Sequence, residues 1–545
     1  MEKLRRVPIL ILLTGVGGIA MMVPAMHALV IRDHAVARNF FYSGLLTLIL
    51  AAILALATGA NPVAGRARGA LVTLMGTFTI LPLVLAVPFS ESVPDTGLYN
   101  SWWEMVSSLT TTGATLFDAE LLPPSLHVWR ALVGWMGGFF ILVAAIAIMA
   151  PWRVGGFELT AAPDERQEYR DHLPKPDGGS GWRKLASRAD HIARMSDPAQ
   201  RALRHAGAIM PYYIGFTMLL WVLLLMLGDP SLVAFCRALG TISTSGISPL
   251  NGAVGRSAGT PGEVVVFLFL CLALTRRFWP GGNELRTSDR LLRDPELRMA
   301  AFLVLLVTAV LALRHFTDLI DTADPQGPST VAIGFFAWVQ QFIRAVWGGM
   351  FNALSYLTTT GWNSVAWEDA RLWSGLSSPG LILAGLALMG GGVATTAGGV
   401  KLLRVYSLAR HGEREMVRII HPTAVMGGGR IERRLRREGA YLSFIFFMVF
   451  AISIAAVVVL VSISRLNIET ATILSVSALT NTGPLAGTIP LIPTFEGSAG
   501  VAGAPWAGWA GLSMLTKGVL AVAMVVGRLE LLAILVLFNP DFWRR

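Results

Sequence analysis

The stretch SWWEMVSSLTTTGA at 101–114 joins a short apolar segment to a hydroxyl-rich run that ends in glycine. The same combination recurs three more times, as ISTSGI at 242–247, LTTTGW at 357–362 and LTNTGP at 479–484. One such cluster would be ordinary turn chemistry, but four copies between a short and a long apolar stretch indicate an internal repeat. The sequence therefore predicts four copies of one structural unit.

The composition places these copies in a membrane. Of the 545 residues, 54% are hydrophobic and only 14% are charged, and the mean hydropathy is +0.60. Because about 20 apolar residues cross a bilayer as a helix, hydropathy predicts ten spans, at 8–31, 39–60, 69–89, 128–151, 208–228, 262–280, 298–317, 378–403, 440–463 and 508–538. The predicted fold class is an all-α polytopic membrane protein with both termini on one side.

The distribution of basic residues predicts the orientation. Arg and Lys are dense in the connections 153–204, 276–298 and 401–437, whereas 466–507 contains neither. By the positive-inside rule, the basic connections and both termini face the cytoplasm, and the four glycine-ended runs lie toward the outer face. The net charge of +10 is therefore a topology signal with affinity for anionic lipid rather than a nucleic-acid footprint.

Each apolar segment before a glycine-ended run is too short to cross a membrane. Nine to thirteen helical residues reach about 14 to 20 Å, roughly half of the ~30 Å hydrocarbon core, which predicts re-entrant pore helices. Non-helical backbone at that depth must line a watery cavity, where carbonyl oxygens can replace the hydration shell of a monovalent cation. The predicted selectivity-filter residues are Thr111, Thr112, Gly113, Thr244, Ser245, Gly246, Thr359, Thr360, Gly361, Asn481, Thr482 and Gly483. A Cβ at any of the four glycines would block unusual backbone angles.

Two further features interrupt apolar segments. The run MGGGVATTAGGV at 389–400 is too rich in glycine for a continuous helix, so either a broken helix or a close helix-packing site is expected there. Arg528 is predicted to lie deep in an apolar helix, where a charge is costly unless it faces water or a partner. Glu530 follows two positions later and is not expected to pair with Arg528 on the same helix face.

The chain resembles the Trk/Ktr/HKT superfamily of potassium transporters, and most closely its TrkH type. The resemblance covers nearly the whole chain and is carried by the four filter runs together with DPELR at 294–298, MGGGVATTAGGVKLLR at 389–404, RIIHPTAV at 418–425, SALTNTGP at 477–484 and GRLELLAILVLFNPDFW at 527–543. It implies four pseudo-symmetric units of span, pore helix and span around one central pore, after two extra N-terminal helices. The implied boundaries are an N-terminal extension at 1–66, pore unit 1 at 67–151, a cytoplasmic loop at 152–206, unit 2 at 207–297, unit 3 at 298–438 and unit 4 at 439–545.

The resemblance also implies how such a pore is gated. The broken third-unit helix would form an intramembrane loop below the filter, and Arg528 would project into the pore as an electrostatic barrier or latch. The gating residues implied are Gly390, Gly391, Gly392, Thr395, Thr396, Gly398, Gly399, Lys401 and Arg528. For Arg528 the alternative is a side chain that snorkels to the cytoplasmic interface.

The activity implied is potassium uptake across the bacterial inner membrane. Gly113 favours potassium, because sodium-favouring relatives carry serine there, whereas Ser245 stands where this type usually has another glycine. The resemblance implies a homodimer on a cytosolic TrkA-like NAD- or ATP-binding regulatory subunit, and potassium at the filter with no organic cofactor. A sodium or unselective cation transporter and an ion-coupled potassium symporter are the alternatives within the family.

Other classes of protein are less consistent with the sequence. No P-loop or dinucleotide fingerprint occurs, and two cysteines, Cys236 and Cys271, cannot form a cysteine-rich metal site. A secondary transporter with inverted repeats would have few repeats of opposite topology, unlike four units of one orientation. A membrane enzyme would need grouped titratable residues, whereas the candidates are scattered, at His27, His127, Glu104 and Glu530. The chain is therefore not expected to be an enzyme.

Overall fold

In the computed structural model, the described part of the chain is all-helical and contains no β-strand. The described residues are 8–59, 67–94, 96–150, 198–250, 252–280, 291, 294–321, 335–375, 380–421, 439–464, 466–488 and 508–530. Most of the predicted cytoplasmic loop at 152–206, both charged termini and residues 531–538 of the tenth predicted span lie outside them. The predicted all-α membrane fold is confirmed.

Among the described residues, eight helical segments are long and apolar enough to cross a membrane. They coincide with the first seven predicted spans and with the ninth, and they run Ile9–Val30, His34–Thr58, Val72–Ser92, Pro124–Met149, Arg201–Met226, Gly255–Ala273, Pro295–Arg314 and Ala440–Ser462. The predicted spans at 378–403 and 508–538 are not among them, and the break in the first is the broken helix that its glycine-rich run allows. The first breaks after Met389 and the second is helical only from Met514 to Leu529 among its described residues.

The chain begins with an N-terminal hairpin. Helices α1 (Ile9–Ala20) and α2 (Met22–Val30) form the first crossing, and α3 (His34–Gly59) returns beside them. The close approach of the crossings depends on small residues, because a Cβ on Gly44 would collide with the Met22 side chain and come within 3.0 Å of the Gly18 carbonyl.

Unit 1 consists of a bent crossing, a short helix and a second crossing. The bent crossing is α4 (Ala67–Thr79) followed by α5 (Leu81–Ser92), which contains Pro88. The short helix α6 (Gly97–Leu109) leads into the filter, and α7 (Pro124–Ala144) continues into a π-helical turn at Ala145–Met149. Most residues of the span Pro124–Met149 are buried, so this crossing lies inside the protein.

Units 2 and 4 follow the same order. In unit 2, α8 (Pro198–Met226) precedes the short helix α9 (Ser231–Ile242) and then α10 (Gly255–Leu270). After the helices of unit 3, unit 4 has α16 (Ala440–Ser462) before the short helix α17 (Ile468–Leu479). Few residues of the span Ala440–Ser462 are buried, as expected for a helix that faces lipid on most sides. The unit closes with α18 (Leu485–Thr488) and α19 (Met514–Leu529).

Unit 3 departs most from the expected lengths. After α11 (Pro295–Asp321), the helix before the third filter, α12 (Phe335–Leu357), has 23 residues instead of the predicted nine to thirteen. Its first half is held by aromatic packing, since Trp338 and Phe342 both lie against Trp373 of the helix α13 (Trp367–Ser374). The second crossing is split into α14 (Gly380–Met389) and α15 (Leu402–Ile420), with a glycine-rich loop between them.

Candidate functional site

The four predicted filter runs have closely similar backbone conformations. In each, the second residue of the hydroxyl-rich run adopts a left-handed conformation, with φ of +56° at Thr111, +53° at Thr244, +57° at Thr359 and +56° at Asn481. Left-handed backbone is uncommon for residues other than glycine, and for a β-branched threonine it is strained. The same left-handed conformation at four equivalent positions, three of them threonines, indicates a functional constraint rather than an accident of packing.

A repeated set of hydrogen bonds holds this conformation. The amide of the third residue donates to the carbonyl five residues earlier in the preceding helix, at 2.9 Å in all four runs: Thr112 to Ser107, Ser245 to Gly240, Thr360 to Ser355 and Thr482 to Ser477. The first hydroxyl donates to the carbonyl four residues earlier and also meets the third hydroxyl, at 2.8 to 3.2 Å. The hydroxyl pattern of the sequence therefore satisfies the end of each pore helix. Ser245 takes part in this pattern like its three counterparts.

The glycines that end the runs are not all alike. Gly113, Gly246 and Gly361 are left-handed, with φ of +73°, +63° and +76°. Gly483 is not among the positive-φ residues, so the prediction of unusual backbone angles there was wrong. Its amide instead donates to the carbonyl of Thr112 in unit 1 at 2.6 Å, and a Cβ would collide with Ala114. Gly483 is required for close approach rather than for its torsion angles.

The glycines also reveal that the four runs meet in a ring. A Cβ on Gly113 would collide with the Ser245 carbonyl of unit 2, and one on Gly246 with the Thr360 carbonyl of unit 3. A Cβ on Gly361 would come within 2.9 Å of the Pro484 ring of unit 4, and Gly483 contacts unit 1. The runs therefore follow one another around a closed ring in chain order. Their polar residues are buried at the centre of the protein.

The glycine-rich segment 390–401 contains no regular helix and connects α14 to α15. We call it the gating loop, after the role that the family resemblance implies. Gly390, Gly399 and Lys401 are left-handed, with φ of +72°, +75° and +86°. The backbone groups freed by the break are partly satisfied across its base, since Val400 donates to Leu388 at 2.9 Å. This is a broken helix rather than a helix-packing site, and a broken helix was one of the two structures that the glycine pattern allowed.

The gating loop lies directly against three of the four filter runs. The amide of Gly398 donates to Oγ1 of Thr359 at 2.7 Å, and a Cβ on Gly398 would collide with the Thr480 carbonyl. Thr396 Oγ1 lies 3.4 Å from the carbonyl of Ile242, the last residue of the second pore helix. All these groups are buried, so the contacts between the loop and the runs lie inside the protein.

The first half of the gating loop is anchored to the end of the second unit, at Ala273 and at Glu296 in the first turn of α11. The amide of Gly392 donates to the Ala273 carbonyl at 3.0 Å, and the amide of Val393 donates to Oε1 of Glu296 at 2.7 Å. Glu296 is buried within the DPELR motif, yet no local pattern in the sequence assigns it this partner. At the end of the loop, Nζ of Lys401 donates a hydrogen bond to the Ala397 carbonyl within the same loop, at 2.5 Å.

Arg528 contacts the second half of the gating loop. Its Nη1 donates to the Thr396 carbonyl at 2.8 Å, and the side chain is only 4% exposed, which contradicts the snorkelling alternative. The sequence predicts Arg528 deep within an apolar helix. In the structure it lies in the last turn of α19, which ends at Leu529 because Glu530 adopts a left-handed φ of +64°. Arg528 also borders a cavity of about 30 Å³ between the loop, α7 and α16.

Glu530 has a different partner from Arg528. Its Oε2 lies 2.9 Å from Nη2 of Arg404, which is fully buried at the start of α15. The Arg404 guanidinium also lies 3.7 Å above the Phe446 ring. This pair joins the end of α19 to the far side of the gating loop. The sequence separation of Arg404 and Glu530 gives no hint of the contact.

The titratable residues considered for an enzyme remain dispersed. His27 contacts Ser125 at 2.8 Å, and His127 contacts the Ala119 carbonyl at 2.9 Å. Within the described residues, no group of three or more His, Cys, Asp or Glu side chains could hold a metal ion.

Comparison with known proteins identifies relatives over the full length of the chain. The Trk system potassium uptake protein TrkH of Salmonella typhimurium is 27% identical over 538 residues, covering 96% of each chain. The protein of the same name from Escherichia coli strain K12 is 26% identical over 536 residues, again covering 96% of both. The crystal structure of the potassium transporter TrkH from Vibrio parahaemolyticus superposes with a TM-score of 0.71 at 22% identity over the whole of both chains. That structure supports the fold.

The family model TrkH, described as a cation transport protein, matches residues 264–545. This range includes the third and fourth filter runs, the gating loop, Glu296 and Arg528. A transport family, and not an enzyme family, is therefore assigned to this chain. The protein belongs to the TrkH family of cation transport proteins.

Proposed function

We propose that the protein takes up potassium through a channel-like pore whose selectivity filter is the ring of four glycine-ended runs. Its relatives are named potassium uptake proteins, and this chain matches two of them over 96% of their length. The ion would shed its hydration shell at backbone oxygens around the ring and move inward along the membrane potential, worth about 2.3 kcal/mol per charge per 100 mV.

The observation that carries this proposal is the repetition of one left-handed backbone in four places, strained in the three that are threonines. A left-handed second residue and the same helix-capping hydrogen bonds occur in every run, and the runs contact one another in chain order. Such an arrangement is costly unless the loops serve a common centre. The contact between Gly483 and Thr112 differs from the other three, which favours an asymmetric filter.

We also propose that the gating loop closes this pore from the cytoplasmic side. The loop bonds to the third filter run through Gly398 and Thr359, and Arg528 holds it through the Thr396 carbonyl. The cationic Arg528 and Lys401 lie where a permeating cation would have to pass, so they would repel it while the loop is in place. Opening would require the loop to leave both the filter and Arg528.

The cellular setting follows from the same reasoning. We propose a bacterial inner-membrane protein with cytoplasmic termini, which assembles as a homodimer on a cytosolic TrkA-like subunit that binds NAD or ATP. The basic connections at 153–204 and 401–437 are the docking surface proposed for that subunit. In the second of these, the C-terminal half of the described helix Leu402–Ile420 is largely exposed and carries Arg410, Glu413 and Arg418.

Two other functions within the family predict different ion dependence. A sodium or unselective transporter would pass both ions, and an ion-coupled symporter would need a proton or sodium gradient. Gly113 favours potassium over the first, because its left-handed backbone and its contact with the Ser245 carbonyl leave no room for a side chain.

The test is potassium against sodium flux into proteoliposomes that contain the purified protein, with Gly113→Ser as the paired variant. We expect potassium-selective flux, and we expect the serine variant to admit more sodium, because the left-handed backbone costs a serine about 1–2 kcal/mol. Equal flux of both ions through the unmodified protein would refute the potassium assignment. Flux that stops without a proton or sodium gradient would favour the symporter.

A further inference from the structure

One position of the pore helices differs among the four units in a way that the filter alone does not explain. It lies nine residues before each filter glycine and is occupied by Glu104, Arg237, Asn352 and Leu474 in units 1 to 4. All four side chains are buried, with exposures of 0%, 1%, 0% and 0%. A carboxylate, a guanidinium, an amide and an isobutyl group thus occupy one equivalent site.

In unit 1 this residue binds the chain that leaves the filter. Oε2 of Glu104 accepts a hydrogen bond from the amide of Leu116, three residues after Gly113, at 3.0 Å. Its Oε1 lies 2.6 Å from Nε of Arg130 on α7, which is 3% exposed. Glu104 therefore ties the outer end of the filter to the pore helix, and Arg130 balances its charge.

Unit 3 repeats this contact without a charge. Oδ1 of Asn352 accepts a hydrogen bond from the amide of Ser364, three residues after Gly361, at 2.9 Å. The amide group of Asn352 then donates to Oδ1 of Asn363 at 3.1 Å. In both units, therefore, the side chain nine residues before the glycine accepts a hydrogen bond from the amide three residues after it, although the two side chains differ.

The equivalent residues of units 2 and 4 have other partners. Nη1 of Arg237 lies 2.8 Å from Oδ1 of Asp229 and 2.9 Å from Ser257, and so holds its helix to α10. Leu474 has no polar group. Because the runs follow one another in chain order around the ring, the two filter-binding residues stand in opposite units.

We propose that Glu104 and Asn352 are positioning residues that fix the outer ends of the first and third filter runs and thereby set ion selectivity. This inference rests on the proposed filter. The buried oxygen of Glu104 or Asn352 holds the amide three residues after the filter glycine. This bond limits how far the run can move away from the centre of the ring. Ion discrimination by the ring then depends on two opposed clamps rather than on four equal loops.

The test is Asn352→Leu against Asn352→Asp, since the aspartate keeps an acceptor for the Ser364 amide, although it adds a buried charge and loses the bond to Asn363. The full-length protein in detergent is titrated with KCl or NaCl at constant ionic strength, made up with choline chloride, and the midpoint of thermal unfolding is followed. The midpoint in choline chloride alone reports the structural cost of a substitution. The ion-dependent rise reports binding to the filter and does not need an open gate.

We expect the ratio of potassium to sodium affinity to fall about tenfold in Asn352→Leu and to be retained in Asn352→Asp. Leu474→Ala, at the equivalent position of unit 4, should lower the midpoint without changing the ratio. Glu104→Leu combined with Arg130→Met removes the other clamp without leaving a buried charge and should lower the ratio as well.

Three outcomes separate the proposals. An unmodified protein that responds equally to both ions would overturn the potassium filter itself. A selective unmodified protein whose leucine variants remain equally selective would overturn the clamp alone. A ratio that falls as much in Leu474→Ala as in Asn352→Leu would reduce Asn352 to an ordinary structural residue and would also overturn the clamp.

Discussion

Replacing Arg528 with alanine should open the pore. In the structure, Arg528 makes one hydrogen bond to the gating loop, from Nη1 to the Thr396 carbonyl at 2.8 Å. Both residues are buried, at 4% and 1% exposure, so water does not replace the bond easily. Alanine removes this bond and also the positive charge beside the proposed ion path. Both changes favour conduction.

The size of the effect follows from the kind of bond. A hydrogen bond from a charged group contributes about 1.5–3 kcal/mol net. If the bond exists only while the loop is closed, its loss shifts the equilibrium between the closed and open loop toward the open state. Because about 1.4 kcal/mol corresponds to a factor of ten, the expected shift is about 10- to 150-fold. The loop keeps its other bonds, to Thr359 and Glu296, so partial rather than complete opening is expected.

The assay is potassium flux into proteoliposomes in the absence of any cytosolic subunit, normalised to the amount of folded protein. Lys517→Ala is the matched control, because Lys517 is a partly buried cation on the same helix, eleven residues earlier and bonded to Asn100 rather than to the loop. The control should not raise the flux. Unchanged flux in a folded Arg528→Ala protein, or an equal rise in the control, would refute the latch.

Two further substitutions test the surroundings of the gating loop. Gly398→Ala should raise basal potassium flux, because its Cβ would collide with the Thr480 carbonyl. Gly385→Ala is the control and should leave the flux unchanged, because no atom lies near the Cβ added at this helical site. Similar flux in the two variants would contradict the contact between Gly398 and Thr480. Arg404→Met should cost about 3–5 kcal/mol of stability, because it leaves Glu530 buried without its cation, and the melting temperature should recover in part when Glu530→Gln is added. A double variant no more stable than Arg404→Met would argue against the pair.

The filter runs are the part of the site that sequence reasoning predicts best. Their geometry depends on contacts within about seven residues, as where Thr110 and Thr112 cap the helix that precedes them. Local chemistry of this kind is visible in the order of residues. The left-handed second residue could have been suspected only at Asn481, since threonine seldom adopts that conformation.

The errors share a different cause. The third pore helix has 23 residues, with Trp338 of its first half packed on Trp373, and Glu530 interrupts α19 with a positive φ and pairs with Arg404. Hydropathy reports only how apolar a segment is. It cannot register a distant aromatic ring or an ion pair that ends a helix.

The membrane-embedded, helical nature of the protein, the four repeated runs and the break in the glycine-rich segment can all be inferred from the amino-acid sequence. Each of these depends on composition or on neighbours along the chain. Three features emerge only from the packed helices: the runs close into a ring, Gly483 contacts Thr112, and Glu296 and Arg528 hold opposite halves of the gating loop. These contacts join residues about a hundred or more positions apart, and a buried polar group finds its partner only once the helices have packed.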